Sequence, residues 1–234
     1  MKKVAVFVEG QTEQIFTEEL VKHIFGNAQI KIETLQFSGK TGIRQICTIR
    51  SVNITSSTNY YFRIYDCHGG GENSTVKSDI IEQFPGLLRE SFTNIIAIRD
   101  VFPLIDIVKL KSMMNANIPF NAMLPIKIIL AIKEIESWFL AEETHYPKIS
   151  DRITYLTANE ITGIDVSKNN TEIISHPSDT LKQIYMKGGT TYDKSRKKVQ
   201  RTVNVLSYEN LYINVRNRNT SLNELLTCLD GLIP

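Results

Sequence analysis

Val4-Ala5-Val6-Phe7-Val8-Glu9-Gly10-Gln11-Thr12-Glu13 is the stretch that decides the fold. Val4 to Val8 is an unbroken apolar run, too short for a helix and rich in β-branched residues. Such a run reads as a strand buried on both faces, as in a parallel sheet. Glu9 stands where that strand ends. Gly10 supplies a sharp turn, and Gln11 or Thr12 starts a helix. Ile15, Phe16, Leu20, Val21 and Ile24 follow at helical spacing. In open α/β sheets the carboxyl ends of the strands line the ligand crevice. A carboxylate there is costly to bury unless it is paired or bound to a metal.

Strands and helices alternate outward from this unit. Ile30 to Phe37 alternates apolar and polar residues and reads as a strand. Ser38 to Gly42 is a loop; its Gly39-Lys40-Thr41 lacks the upstream glycine of a phosphate-binding loop. Ile43 to Val52 is expected to be a helix. Tyr60 to Tyr65 is a strand ending in Asp66, followed by a loop with His68 and three glycines, Gly69 to Gly71. Ser74 to Glu90 has helix signals. Asn94 to Ile98 is an apolar strand running into Arg99-Asp100, and Leu104 to Met114 is expected to be helical. Ile126 to Ile132 is a further strand, leading into a helix over Lys133 to Ala141. This alternation, over 1–145, predicts an α/β, Rossmann-like, mostly parallel sheet flanked by helices. From Pro147 the runs are shorter and more polar, predicting a small, mainly helical region over 146–234. Helices are expected from His176-Pro177, near Tyr208 to Val215, and at Ser221 to Leu229.

The recurrence of acids is the chemical signal. Glu9, Asp66 and Asp100 each end a strand, and a further strand leads into Glu134 and Glu136. Parallel strands place their carboxyl ends on one edge, so these residues are candidate metal ligands. Clustered carboxylates repel, and an oxygen-only set suits Mg²⁺ or Mn²⁺. Glu134 and Glu136 are two apart, so a continuous helix would point at most one of them into the site. Trp138, Phe139 and Leu140 read as core. Asp100 has a plain alternative, an ion pair with Arg99; Glu9 could simply cap the next helix.

The whole-chain charge of +2 argues neither for nor against a polyanionic partner, so local distribution decides. The densest basic run is Lys194-Ser195-Arg196-Lys197-Lys198-Val199-Gln200-Arg201, just after Tyr192. Lys187, Lys194, Arg196, Lys197, Lys198 and Arg201 are candidate phosphate contacts, and Tyr192 a candidate base stacker. The bland alternative is a solvated helix face. The three cysteines, Cys47, Cys67 and Cys228, are scattered, and the N-terminus is not signal-like. Both features point to a reduced cytoplasm. No apolar stretch is long enough to span a membrane. Oligomeric state is left open.

Several of these residues carry a resemblance. Glu9-Gly10-x-Thr12-Glu13 after a strand resembles the first motif of the TOPRIM superfamily, and Ile95 to Asp100 resembles its second acidic strand. Ala131 to Ala141, His176-Pro177 and Tyr192-x-Lys194 are similar to elements of stand-alone bacterial TOPRIM-like proteins. That group includes relatives of RloB and of overcoming-lysogenization-defect nucleases. The resemblance implies a TOPRIM-like domain and a metal-dependent nuclease or phosphotransfer component acting on DNA or RNA in bacterial defence. It implies Glu9 as general acid/base or metal ligand, Asp100 as metal ligand, and Glu134 or Glu136 completing the acidic site. Of the two glutamates, Glu136 is preferred from the residues themselves, and with Glu9 and Asp100 it makes the candidate catalytic set. One departure stands out: the usual Asp-x-Asp is here Asp100-Val101-Phe102. The missing acid favours a rival expectation, a non-catalytic binding or regulatory subunit beside a partner ATPase. Asp66 or Asp106 are candidates to compensate.

Overall fold

The structure is a computed structural model that describes residues 1–26, 30–38, 45–53, 59–67, 74–102 and 106–233. The Gly39-Lys40-Thr41 loop and the His68 loop lie outside these residues. The chain forms two compact units. One comprises Met1–Arg99 with Pro103–Leu130; the other comprises Asp100–Phe102 with Ala131–Pro234.

The first unit is built on a six-stranded sheet of order β3-β2-β4-β1-β5-β6. Its strands are β1 (Lys2–Val8), β2 (Ile30–Ser38), β3 (Gln45–Asn53), β4 (Tyr60–Asp66), β5 (Asn94–Asp100) and β6 (Ile126–Ala131). The apolar run Val4 to Val8 is central, with no residue more than 1% exposed. β1 pairs in parallel with β4 and with β5, and β2 pairs in parallel with β4. Val8 stands opposite both Asp66 and Ile98, so these strands end on one edge. Bonds from Ile95 N to Pro125 O and from Val101 N to Ala131 O run in the same sense, so β6 is parallel to β5. Phe7 and Tyr65 stack across the β1–β4 pair at 4.4 Å, and Phe37 continues the stack.

β3 corrects the expectation of a helix over Ile43 to Val52. It pairs antiparallel with β2, with a register irregularity between Thr34 and Leu35. Ile46, Thr48, Ile49 and Val52 are β-branched, and an unfilled sheet edge rewards that composition more than weak helical spacing does. The sheet is therefore mostly, not wholly, parallel.

Helices α1 (Gln11–Phe25), α2 (Val76–Arg89) and α3 (Ile107–Asn115) complete this unit. α1 buries Ile15, Phe16, Leu20 and Val21 as its spacing predicts. At its start, the Gly10 N–H donates to Glu13 Oε2 at 3.0 Å. Gly10 itself is extended, with φ −161°, so the turn does not depend on a glycine-only conformation. α3 is capped by Asp106, whose Oδ1 accepts from Lys109 N at 2.8 Å.

The second unit is helical: α4 (Glu136–Ala141), α5 (Tyr146–Ile149), α6 (Tyr155–Thr162), α7 (Pro177–Lys187), α8 (Arg196–Val203), α9 (Tyr208–Ile213) and α10 (Thr220–Asp230). Its core holds Trp138, Phe139, Leu140, Leu181, Ile184, Val199, Leu211, Leu222 and Leu226, all fully buried. Two buried carboxylates fasten it. Glu172 accepts from Thr220 N at 2.9 Å, from Ser221 N at 2.8 Å and from the Ser221 hydroxyl, and so caps α10 from a distance. Glu142 accepts from Asn210 Nδ2 at 2.8 Å and Ser207 N at 3.2 Å, which ties down the start of α9. No described helix is long and apolar enough to cross a membrane.

Candidate metal centre

Asp100 is the last residue of β5, and Ala131 the last of β6. Beyond the strands, Val101 N donates to Ala131 O at 3.0 Å and Phe102 N to Lys133 O at 2.8 Å. Lys133 has φ +66°, a left-handed conformation sparsely used by residues with a Cβ. That turn ends the strand and delays the helix until Glu136. The expectation of a continuous helix from Lys133 is corrected, so the limit of one facing acid, which held only for a continuous helix, does not apply. Glu134 sits in the turn and Glu136 in the first turn of α4, so helical periodicity does not relate them.

The result is a buried group of three carboxylates. Ligand oxygens of Asp100, Glu134 and Glu136 all lie within 4.8 Å of one another. Glu136 is 0%, Glu134 7% and Asp100 9% exposed. Each is held by a fixed donor. Ile135 N donates to Asp100 Oδ1 at 3.0 Å. The Tyr192 hydroxyl donates to Glu136 Oε1 at 2.9 Å. Ser178 donates twice to Glu134, from its N–H at 3.0 Å and its hydroxyl at 3.1 Å. Ser178 follows Pro177, which opens α7 and has no N–H, so Glu134 takes the first available amide at a positive helix end.

Lys194 reaches this group. Its Nζ is 3.0 Å from Glu134 Oε1, 3.6 Å from Glu136 Oε2 and 3.7 Å from Asp100 Oδ2. Burial pushes the Glu134 carboxyl up, but the Lys194 charge and the Ser178 bonds together hold it below the ordinary carboxylate range. Among the described residues, one ammonium thus faces three carboxylates. The donors are all oxygen, which fits a hard divalent cation rather than zinc or copper.

Glu9 and Asp66 belong to the first unit. Glu9 is buried, with its Oε2 4.0 Å from Arg99 Nε. Asp66 is buried and accepts from Gln36 Nε2 at 3.3 Å. Asp106 caps α3, which accounts for it without a metal.

The basic run divides into distinct roles. Arg196 and Lys197 are exposed and, with Gln200, Arg201 and Asn204, line an open depression of about 500 Å³. Lys198 pairs with Asp193 at 2.5 Å. Arg201 donates to Thr190 Oγ1 at 2.6 Å and Thr191 O at 2.7 Å, and lies over the Tyr185 ring. Lys187 is exposed at the end of α7. Two expectations are corrected. Tyr192 is 1% exposed and packs edge-on against Tyr185, so it cannot stack on a base. Lys194 faces the acids rather than a surface groove. His176 stands before α7, its ring 5.4 Å from that of Phe102. Ser178 was not anticipated. The Pro-Ser-Asp helix start was visible in the sequence, but not the distant carboxylate it would hold.

No family model matches the chain, and no curated protein matches it. Among solved structures it is similar to a hypothetical protein from Pyrococcus horikoshii OT3, at 14% identity and TM-score 0.49 over 100% of both chains. It is also similar to a protein provisionally described as a cell surface hydrolase from Lactobacillus plantarum WCFS1. That match has 16% identity and TM-score 0.27, over 59% of this chain and 56% of the other. Neither likeness assigns a function.

Proposed function

We propose that the chain is a divalent-cation-dependent component of phosphodiester chemistry on nucleic acid, with Asp100, Glu134 and Glu136 holding Mg²⁺ or Mn²⁺. The observation that carries this reading is the convergence of these buried carboxylates, each already oriented by a donor of its own. A cation bound there would polarise a phosphate and lower the pKa of a bound water. The chain's own part is orientation. Ile135 N, Ser178 and Tyr192 fix the carboxylates, so little freedom remains to be lost on binding. Arg196 and Lys197 offer charge to a nucleic-acid backbone. The TOPRIM resemblance supports the choice of nucleic acid and of bacterial defence. It would also make Glu9 the acid/base.

The test is a cleavage screen with single- and double-stranded DNA and RNA, in Mg²⁺, Mn²⁺ and chelator. Cation-dependent cleavage by the wild type, lost in Glu136→Gln, is the expected result. Cation binding without cleavage of any substrate would instead favour the rival, a binding subunit beside an ATPase. Val101-Phe102 in place of a second acid is the observation on that side.

A further inference from the structure

We infer that Lys194 is a built-in counter-cation of the Asp100–Glu134–Glu136 group, competing with the divalent cation for the same carboxylates. The inference rests on the metal reading above and adds how that site is guarded. Three observations lead to it. The Lys194 ammonium lies within 3.0–3.7 Å of an oxygen from each of the three acids, the position from which a single cation engages all of them. The acids do not need lysine for their geometry, because Ile135 N, Ser178 and the Tyr192 hydroxyl hold them independently. Lysine is also the residue suited to this place: its ammonium is a compact point charge on a flexible stem, where arginine would present a wide planar fork.

The surroundings let the side chain leave without moving the backbone. Its loop is anchored on both sides of Lys194. Before it, Tyr192 is buried, and Arg201 ties Thr190 and Thr191 to α8. Across it, Asp193 accepts from Ser195 N at 3.0 Å and pairs with Lys198. The Lys194 side chain, in contrast, is 45% exposed. Rotation about its stem exchanges the carboxylates for water. In the cation-free protein Lys194 relieves repulsion among the acids; when a divalent cation enters, the ammonium is released beside it. Occupancy of the centre is thereby coupled to exposure of a positive charge at the same spot.

The experiment is Mn²⁺ titration, by calorimetry and by the electron paramagnetic resonance of the free ion. It compares wild type with Lys194→Met, Lys194→Gln, Lys194→Arg and Glu136→Gln. Neutral residues at 194 should tighten Mn²⁺ binding by roughly tenfold, a modest factor because the charge is half exposed. Lys194→Arg should not tighten it, and Glu136→Gln should abolish it. In chelator the neutral variants should melt below wild type, and Mn²⁺ should restore them by more degrees than it adds to wild type. A wild-type measurement covers variants that fail to fold. Labelling of Lys194 by an amine-reactive ester, read by mass spectrometry, should rise when Mg²⁺ is added. Wild-type Mn²⁺ binding with unchanged or weaker affinity in the neutral variants, or labelling that ignores Mg²⁺, overturns the counter-cation role and leaves the metal site standing. No Mn²⁺ binding in wild type or any variant overturns both.

Discussion

At the scale of single residues, several buried polar groups of this protein orient acids. Tyr192 is the clearest case. Its ring is packed away, and its one polar atom meets Glu136. Tyr192→Phe keeps the packing and removes the donor, leaving a buried carboxylate oxygen less well satisfied. We expect a loss of about 1–3 kcal/mol in urea unfolding and weaker Mn²⁺ binding in the same preparation. Tyr192 also shows the limit of reading residues by type. An aromatic beside a basic run looks like a nucleic-acid contact, and only burial distinguishes it from a core residue with a polar tip. The acids fare differently. Asp100, Glu134 and Glu136 were legible because each follows a strand. The alignment of Glu134 with Glu136 was not, because it depends on a left-handed turn at Lys133 that a lysine does not advertise.

Elements begin and end where side chains satisfy their exposed amides, and the two kinds of cap here should differ in strength. Asp106 caps α3 at the surface, so Asp106→Ala should cost about 1 kcal/mol. Glu172 serves α10 from within the core, accepting from two amides and a hydroxyl. Glu172→Ala leaves the buried Ser221 amide and hydroxyl without this acceptor and should cost about 2 kcal/mol or more, by the same denaturant measurement. Gly188 makes a further point. A Cβ there would stand 2.8 Å from Ser150 Cβ, so Gly188→Ala forces α7 and the segment after α5 apart. The expected loss is about 1–3 kcal/mol. Beside the candidate contact Lys187, Gly188 therefore meets a packing requirement. β3 carries the same lesson for strands: its composition suits either state, and pairing with β2 chooses.

For the molecule as a whole, pH dependence follows from a histidine the function does not use. His145 is fully buried, with Nδ1 donating to the Glu142 carbonyl. Its Nε2 has no hydrogen-bond partner among the described residues. Burial holds its pKa below the ordinary 6.5, against the pull of Glu142. A depressed pKa means that the unfolded chain binds the proton first. Stability is therefore fully present above 6.5 and is lost progressively as the pH falls below it. Urea midpoints for wild type should drop between about pH 7 and about pH 5.5, and His145→Gln should flatten that slope. An unchanged slope in the variant would remove His145 as the cause.

What the sequence determined by itself is local and periodic. Val4 to Val8, Asn94 to Ile98 and Ile126 to Ile132 announce strands, because short apolar runs rich in β-branched residues suit a buried sheet better than a helix. The helix spacing of α1 and the proline start of α7 are equally plain, and together they set the α/β class and the place of the acids at strand ends. Tertiary structure decided what those acids meet. Ser178, Tyr192 and Lys194 lie 44, 56 and 60 residues from the carboxylates they touch. No periodicity links positions so far apart, because their meeting is set by how α4, α7 and the loop before α8 pack around a shared core. Charge balance within a cluster is a property of that packing, and a lysine written into a basic run became the counter-ion of an acidic centre only through it.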